Sequence, residues 1–101
     1  MAWVSREEYL QSPEWKALRE QAFRYHGRQC RICGARQYLE VNHVDYRRFG
    51  GNERMIDLMP LCREHHQSVT DYVFKEHKGE ADMWHLTFWW FFETKRKITN
   101  R

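Results

Sequence analysis

The stretch that decides the fold of this chain runs from residue 30 to residue 66 and reads CRICGARQYLEVNHVDYRRFGGNERMIDLMPLCREHH. It begins with Cys30-x-x-Cys33 and ends with Cys62-x-x-His65, which are the spacings of two metal-ligand pairs. Four such ligands can converge on a tetrahedron and leave no open position, so the predicted metal is a structural zinc ion. The alternatives are a redox-active Cys30–Cys33 pair or ordinary buried thiols.

The size and composition of the chain support a metal staple. A length of 101 residues predicts a single domain, 1–101, with its core motif at 30–71 and with a core small enough to need such a staple. Three cysteines cannot all pair as disulfides, which favours metal binding in a reduced, cytoplasmic compartment. The first residues become charged too soon for a secretory signal, and no apolar run is long enough to cross a bilayer. A net charge of +3 is compatible with nucleic acid but does not establish it.

Two helix-start signals precede the metal motif. Ser5 and Glu8 form a capping box ahead of a short helix over residues 6–10. Ser12-Pro13 begins a second, amphipathic helix that we expect to end at Gly27. Its predicted buried face consists of Trp15, Leu18, Ala22 and Tyr25.

The rest of the pattern predicts an α+β fold. Residues 38–44 alternate in polarity as a strand does, and 57–61 is either a second strand or an irregular approach to the metal. A further helix is expected from Cys62 toward His77. The aromatic segment 83–92 has the composition of a strand, but its length without a turn favours a helix, which we expect to cover the core or a partner chain rather than to stack on bases.

Together these pieces resemble the HNH endonucleases, whose catalytic unit is a ββα-metal finger. The resemblance covers about residues 9–71. It implies a zinc-stapled finger flanked by an N-terminal helix and a C-terminal aromatic helix, and a hydrolase that cleaves DNA with a divalent metal ion. The motifs that carry it, beyond the cysteine pairs, are Tyr9-Leu10-x-Ser12-Pro13-Glu14-Trp15, Leu39-Glu40-Val41-x-His43-x-x-Tyr46, Gly51-Asn52-Glu53 and Asp57-Leu58-x-x-Leu61-Cys62-Arg63.

The resemblance also implies roles for individual residues. His43 matches the general base, and Asn42 and His66 match the ligands of the catalytic ion, which would be Mg²⁺, Mn²⁺ or Ni²⁺. Asp57 stands where the family has the Asn that braces the loop and orients the base, and His65 stands where many members have a fourth zinc-binding Cys. The implied products carry a 3′-hydroxyl and a 5′-phosphate.

The chemistry of these residue types agrees with those roles. Histidine titrates near neutrality, so His43 can accept a proton from water. If Asp57 accepts from one ring nitrogen, the other is left free for that proton. His65 and His66 project about 100° apart on a helix, so that one ring can face the zinc and the other the catalytic ion. Arg47, Arg48 and Arg54 either contact phosphate or are simply solvated.

Two departures from the family pattern keep other functions open. Asn42 offers only a neutral carbonyl, and Thr70 stands where some members have a further His, so the ion is expected to bind weakly until DNA phosphate completes the site. A degenerate copy, or a non-catalytic zinc module that binds nucleic acid or protein, would have the same zinc ligands. One active site cuts one strand, so a double-strand cut requires a homodimer or two successive events.

Overall fold

A computed structural model describes residues 5–99 as a mixed α/β fold around one two-stranded antiparallel sheet. Four helices accompany the sheet in this part of the chain. In chain order the elements are α1 (Arg6–Leu10), α2 (Pro13–His26), β1 (Leu39–His43), a 3-10 turn (Met55–Asp57), β2 (Leu58–Cys62), α3 (Arg63–Asp71), a π-helical turn (Tyr72–Glu76) and α4 (Met83–Thr99).

The predicted starts of the two N-terminal helices are confirmed. The hydroxyl of Ser5 accepts from the amide of Glu8 at 3.1 Å, and Ser12 does the same for Trp15 at 3.1 Å. Gly27 ends α2 at a φ of 94°, a conformation that a side chain would strain.

The prediction that Tyr25 lies on the buried face of α2 is wrong. Tyr25 is 68% exposed, while Phe23 is only 5% exposed and packs with the sheet. Both residues lie about 80° from Trp15 around the helix, on opposite sides. The sequence period could not choose between the two sides, and the sheet lies on the side of Phe23.

The sheet forms a wall between two apolar clusters. The segment at 58–62 is a true strand, and Pro60 pairs with Val41 in its register. Val41 and Leu58 pack with α1 and α2, whereas Met59 and Leu61 pack with α3 and α4. Because side chains alternate between faces along a strand, one short hairpin serves both clusters.

The C-terminal half packs over the apolar cluster that contains Met59 and Leu61. The helix expected to run toward His77 is present as α3 and the π-helical turn that follows it. The preference for a helix at 83–92 is confirmed by α4, which buries Leu86 and Trp90 and leaves Trp89 and Phe92 exposed. Among residues 5–99, no helix combines the length and the apolar character that a bilayer crossing requires.

Candidate functional site

The predicted zinc ligands come together at one corner of the fold. The ligand atoms of Cys30, Cys33, Cys62 and His65 all lie within 4.8 Å of one another. Nδ1 of His65 is 3.3 Å from Sγ of Cys62 and 3.7 Å from Sγ of Cys30. Ligands held tetrahedrally by one zinc ion lie about 3.5–3.8 Å apart. The donor set and its spacing therefore fit a metal ion such as zinc, and we call this group the metal corner.

Backbone contacts hold the metal corner in shape. The amide of Ile32 donates to Sγ of Cys30 at 3.4 Å, and the amide of Arg31 donates to the carbonyl of Pro60 at 3.0 Å. Cys62 ends β2 and is the N-cap of α3, so the position of α3 depends directly on this corner.

His43 lies at the other end of the hairpin in an aromatic pocket. Only 4% of the residue is exposed. Its ring is stacked between Trp15, at a centroid distance of 4.7 Å, and Tyr46, at 5.2 Å. The ring nitrogen Nε2 is 2.9 Å from Oε2 of Glu53. Stacking and this hydrogen bond together fix the orientation of the imidazole.

Glu53 is the buried carboxylate of this pocket. Its oxygens accept from the hydroxyl of Tyr9 at 2.8 Å and from the amide of Gly51 at 2.7 Å. Burial opposes ionisation of Glu53, but the hydrogen bonds from His43, Gly51 and Tyr9 outweigh it and hold the pKa of Glu53 below its ordinary value. Glu53 is therefore an anion that can only accept hydrogen bonds.

The same environment sets the protonation of His43. Burial lowers the pKa of His43 below its ordinary value, and the hydrogen bond to Glu53 opposes this only in part. A neutral imidazole has one N–H, and the anionic Glu53 requires it on Nε2. Nδ1 then carries the lone pair, so the ring is held in the tautomer of a proton acceptor.

Asp57 does not make the contact that the sequence suggested for it. Its carboxylate forms two hydrogen bonds with the guanidinium of Arg48, at 2.8 and 3.0 Å, and accepts from the amide of Arg54 at 2.9 Å. Its backbone carbonyl accepts from the amide of Val44 at 2.7 Å. Asp57 thus braces the loop between the strands, while the carboxylate on the ring of His43 belongs to Glu53.

His66 points away from the metal corner and into a cleft. Nδ1 of His66 is 2.7 Å from Oε1 of Glu40 on β1, although the neighbouring His65 faces the cysteines. The cleft consists of two cavities of about 150 and 260 Å³ that share Arg6, Tyr46 and His66 in their walls.

The two cavities contain the other residues expected at the site. His43 lines the smaller cavity and Asn42 the larger. Asn42 is 5% exposed, and its Nδ2 has no hydrogen-bond partner among residues 5–99. A buried amide without a partner is costly, so its position beside the cleft suits a ligand-binding role.

The three arginines that were expected either to contact phosphate or to be solvated line neither cavity. Arg47 pairs with Asp45 at 2.6 Å, and Arg48 pairs with Asp57. The backbone amide of Arg54 donates to the carboxylate of Asp57 in the loop between the strands. The positive charge of Arg47 and of Arg48 is therefore largely neutralised by a neighbouring carboxylate.

Sequence reasoning missed Glu53, Glu40 and Arg6. Glu53 and Glu40 stand inside the quoted motifs, but nothing in the spacing shows that they contact His43 and His66. The contact of Glu53 with Tyr9 spans 44 positions, and that of Arg6 with Tyr46 spans 40. Contacts of this kind exist only once the helices have packed on the sheet.

No protein-family model matches the chain, and no curated protein matches it. The chemistry of the cleft therefore follows from its own residues. A neutral, oriented imidazole can take a proton from water, and a second imidazole, ordered by a carboxylate, can bind a divalent cation. Hydrolysis of an ester is one reaction that uses both.

Proposed function

We propose that this protein is a DNA endonuclease of the HNH type, in which β1, β2 and α3 form a zinc-stapled ββα-metal finger. The observation that supports it most is the contact of Nε2 of His43 with Oε2 of Glu53 at 2.9 Å, beside a cleft that also contains His66. This arrangement prepares Nδ1 to accept a proton.

The residues of the chain divide the work of hydrolysis. His43 removes a proton from the attacking water, and the imidazolium that results is stabilised by the charge of Glu53. The aromatic rings of Trp15 and Tyr46 hold the imidazole so that little reorganisation is needed.

A divalent ion would be held by His66 and Asn42. Because Nδ1 of His66 is engaged by Glu40, Nε2 is the nitrogen left for a metal. The side-chain carbonyl of Asn42 and the carboxylate of Glu40 are the oxygen-bearing groups on β1 that suit an oxygen-preferring ion. When bound, such an ion stabilises the negative charge that develops on the phosphate and the leaving oxygen.

A non-catalytic zinc module is the second candidate. It is favoured by the exposed rings of Trp89 and Phe92 on α4 and by the neutral Asn42 at a ligand position. Large exposed aromatics often mark a binding surface. This candidate predicts zinc binding without any cleavage of DNA.

A nicking assay separates the two candidates. Supercoiled plasmid is incubated with the zinc-loaded protein and Mg²⁺, Mn²⁺ or Ni²⁺. His43→Ala should lower the cleavage rate by about 10²- to 10⁴-fold. His85→Ala is the matched control because His85 is exposed, forms its ion pair with Asp82 and lines neither cavity of the cleft.

Zinc content and thermal melting show whether each variant is folded. Wild-type protein that holds zinc but cuts no DNA in any of the three metals would rule out the nuclease. Unchanged cleavage by folded His43→Ala would rule out His43 as the base.

A further inference from the structure

We propose that Arg6 is the residue that binds a backbone phosphate of the nucleic acid in the cleft, with Tyr46 holding its guanidinium in position. The inference rests on the proposed function, because it assumes that the cleft receives a phosphodiester. It assigns the phosphate contact to the N-terminal helix rather than to the loop arginines.

Tyr46 fixes the guanidinium of Arg6 at the cleft. Nη2 of Arg6 donates to the hydroxyl of Tyr46 at 2.8 Å, and its Cζ lies 5.2 Å from the centroid of the same ring. Tyr46 is in turn stacked on His43. The guanidinium of Arg6 therefore lies against Tyr46, whose ring packs on the proposed base. The scissile phosphate would have to lie close to that base, and so close to this guanidinium.

The charge of Arg6 has no carboxylate partner within the part of the chain that the structure describes. Among residues 5–99, no carboxylate lies within 4.0 Å of its guanidinium, whereas Arg47 and Arg48 each have one. Arg6 lines both cavities together with His66. Its positive charge also acts to lower the pKa of His43. A guanidinium without a counter-ion, placed in a concave site, is suited to an oxyanion.

The geometry leaves donors available for that anion. A guanidinium has five N–H groups in a planar fork, and the hydroxyl of Tyr46 occupies one of them. The remaining groups can bind two phosphate oxygens at once, which an ammonium group cannot do with the same geometry. Substitution by Lys should therefore restore the charge but not the full affinity.

Binding of a fluorescein-labelled DNA duplex, followed by anisotropy at several salt concentrations, tests the inference. It uses the zinc-loaded protein without added Mg²⁺, so that cleavage does not interfere. Arg6→Ala should weaken binding about tenfold. It should also reduce the slope of log K against log salt by about 0.9, the value for one lost phosphate contact. Arg6→Lys should keep the slope and recover part of the affinity.

The matched control is Arg24→Ala. Arg24 is an exposed arginine of α2 that lines neither cavity and has no ion-pair partner among the described residues. The Arg24→Ala variant loses one positive charge from elsewhere on the surface, so its slope of log K against log salt should stay close to that of the wild type. An equal loss in both variants would show a general charge effect and overturn the inference, as would an unchanged slope in Arg6→Ala.

The outcomes also separate this inference from the proposed function. A wild-type protein that binds DNA but never cuts it, and that loses affinity in Arg6→Ala, would retain the phosphate site without the nuclease. A protein that cuts DNA while Arg6→Ala binds and cuts normally would retain the nuclease without this site. Wild-type protein that binds no DNA would overturn the phosphate site.

Discussion

The metal corner and the pocket of His43 lie at opposite ends of the same two-stranded sheet and are organised in different ways. The register places Cys62 opposite Leu39 at one end and His43 opposite Leu58 at the other. The corner consists of two pairs of ligands, each pair within four consecutive residues. The pocket depends on contacts across 10 and 44 positions. The ligands of the metal corner can therefore be predicted from local spacing, whereas the contacts of the His43 pocket depend on how separate helices pack.

The two ends also differ in how they are stabilised. The corner places four ligand atoms where they could hold a metal ion, and the chain alone could not replace the bonds to such an ion. The pocket depends on aromatic packing and on one buried anion with several hydrogen-bond donors. Since α3 begins at the corner and carries His66 into the cleft, we expect damage at the corner to spread to the pocket. Damage at the pocket should stay local.

Loss of the metal corner should have the largest effect. In His65→Ala and in Cys62→Ala we expect the zinc content to fall to near zero and the cooperative thermal transition to disappear. Structural zinc contributes about 10–16 kcal/mol of binding free energy in small domains, which is comparable to the whole stability of a domain. Zinc content by atomic absorption and a melt followed by circular dichroism measure both.

His77→Ala is the control for His65→Ala. His77 lies after the π-helical turn and pairs with Glu80 rather than with the cysteines. A protein that carries no zinc and melts unchanged after chelation would contradict the metal corner.

Glu53→Gln should be the next largest change and should act on catalysis. The amide can still accept from Nε2 of His43, but it lacks the charge that stabilises the imidazolium formed during hydrolysis. We expect kcat for plasmid nicking to fall about 10- to 100-fold with little change in KM, as is usual when the partner of a functional histidine is removed. Zinc content should not change, because Glu53 is not part of the corner.

Glu20→Gln removes a partly exposed carboxylate that pairs with Arg28, and it is the control for this variant. If Asp57 rather than Glu53 orients the base, Glu53→Gln should cleave normally, and Asp57→Asn should carry the loss.

These expectations show what could be read from the sequence. The helix starts at Ser5 and Ser12, the ligand pairs and the helix over 83–92 depend on neighbouring residues, and the structure bears them out. The choice of Glu53 over Asp57 could not be made in advance, because both carboxylates lie in the loop between the strands. Only the folded chain shows that Arg48 pairs with Asp57 and that the hydroxyl of Tyr9 donates to Glu53. The exposure of Tyr25 could not be predicted for the same reason, because it depends on the side of α2 on which the sheet packs.

The pH dependence of stability provides a smaller test of the pocket. Because the pKa of Glu53 is lowered in the folded state, its ionised form stabilises the fold above its unfolded value of 4.5, and this contribution is lost as the pH falls through the folded pKa. The difference in unfolding free energy between wild type and Glu53→Gln should therefore shrink as the pH is lowered from 7 toward that range. Urea unfolding of both proteins across this range measures it, and the comparison cancels the acid sensitivity of the metal corner. A difference that does not vary with pH would mean that folding does not lower the pKa of Glu53.

Tyr9→Phe should have the smallest effect and tests whether the pocket is a network or only a pair. The phenol of Tyr9 donates to both oxygens of Glu53, and burial together with this anion raises its pKa. Removing the hydroxyl keeps the ring that packs against Trp15 and Phe49 but leaves the anion with fewer donors. We expect a loss of about 1–2 kcal/mol in urea unfolding, since hydrogen bonds to charged groups are worth more than neutral ones. Tyr25→Phe, at a residue 68% exposed, should change stability by less than about 0.5 kcal/mol. If both variants unfold at the same urea concentration, Glu53 is held by His43 and Gly51 alone, and the N-terminal helix contributes only its ring to the pocket.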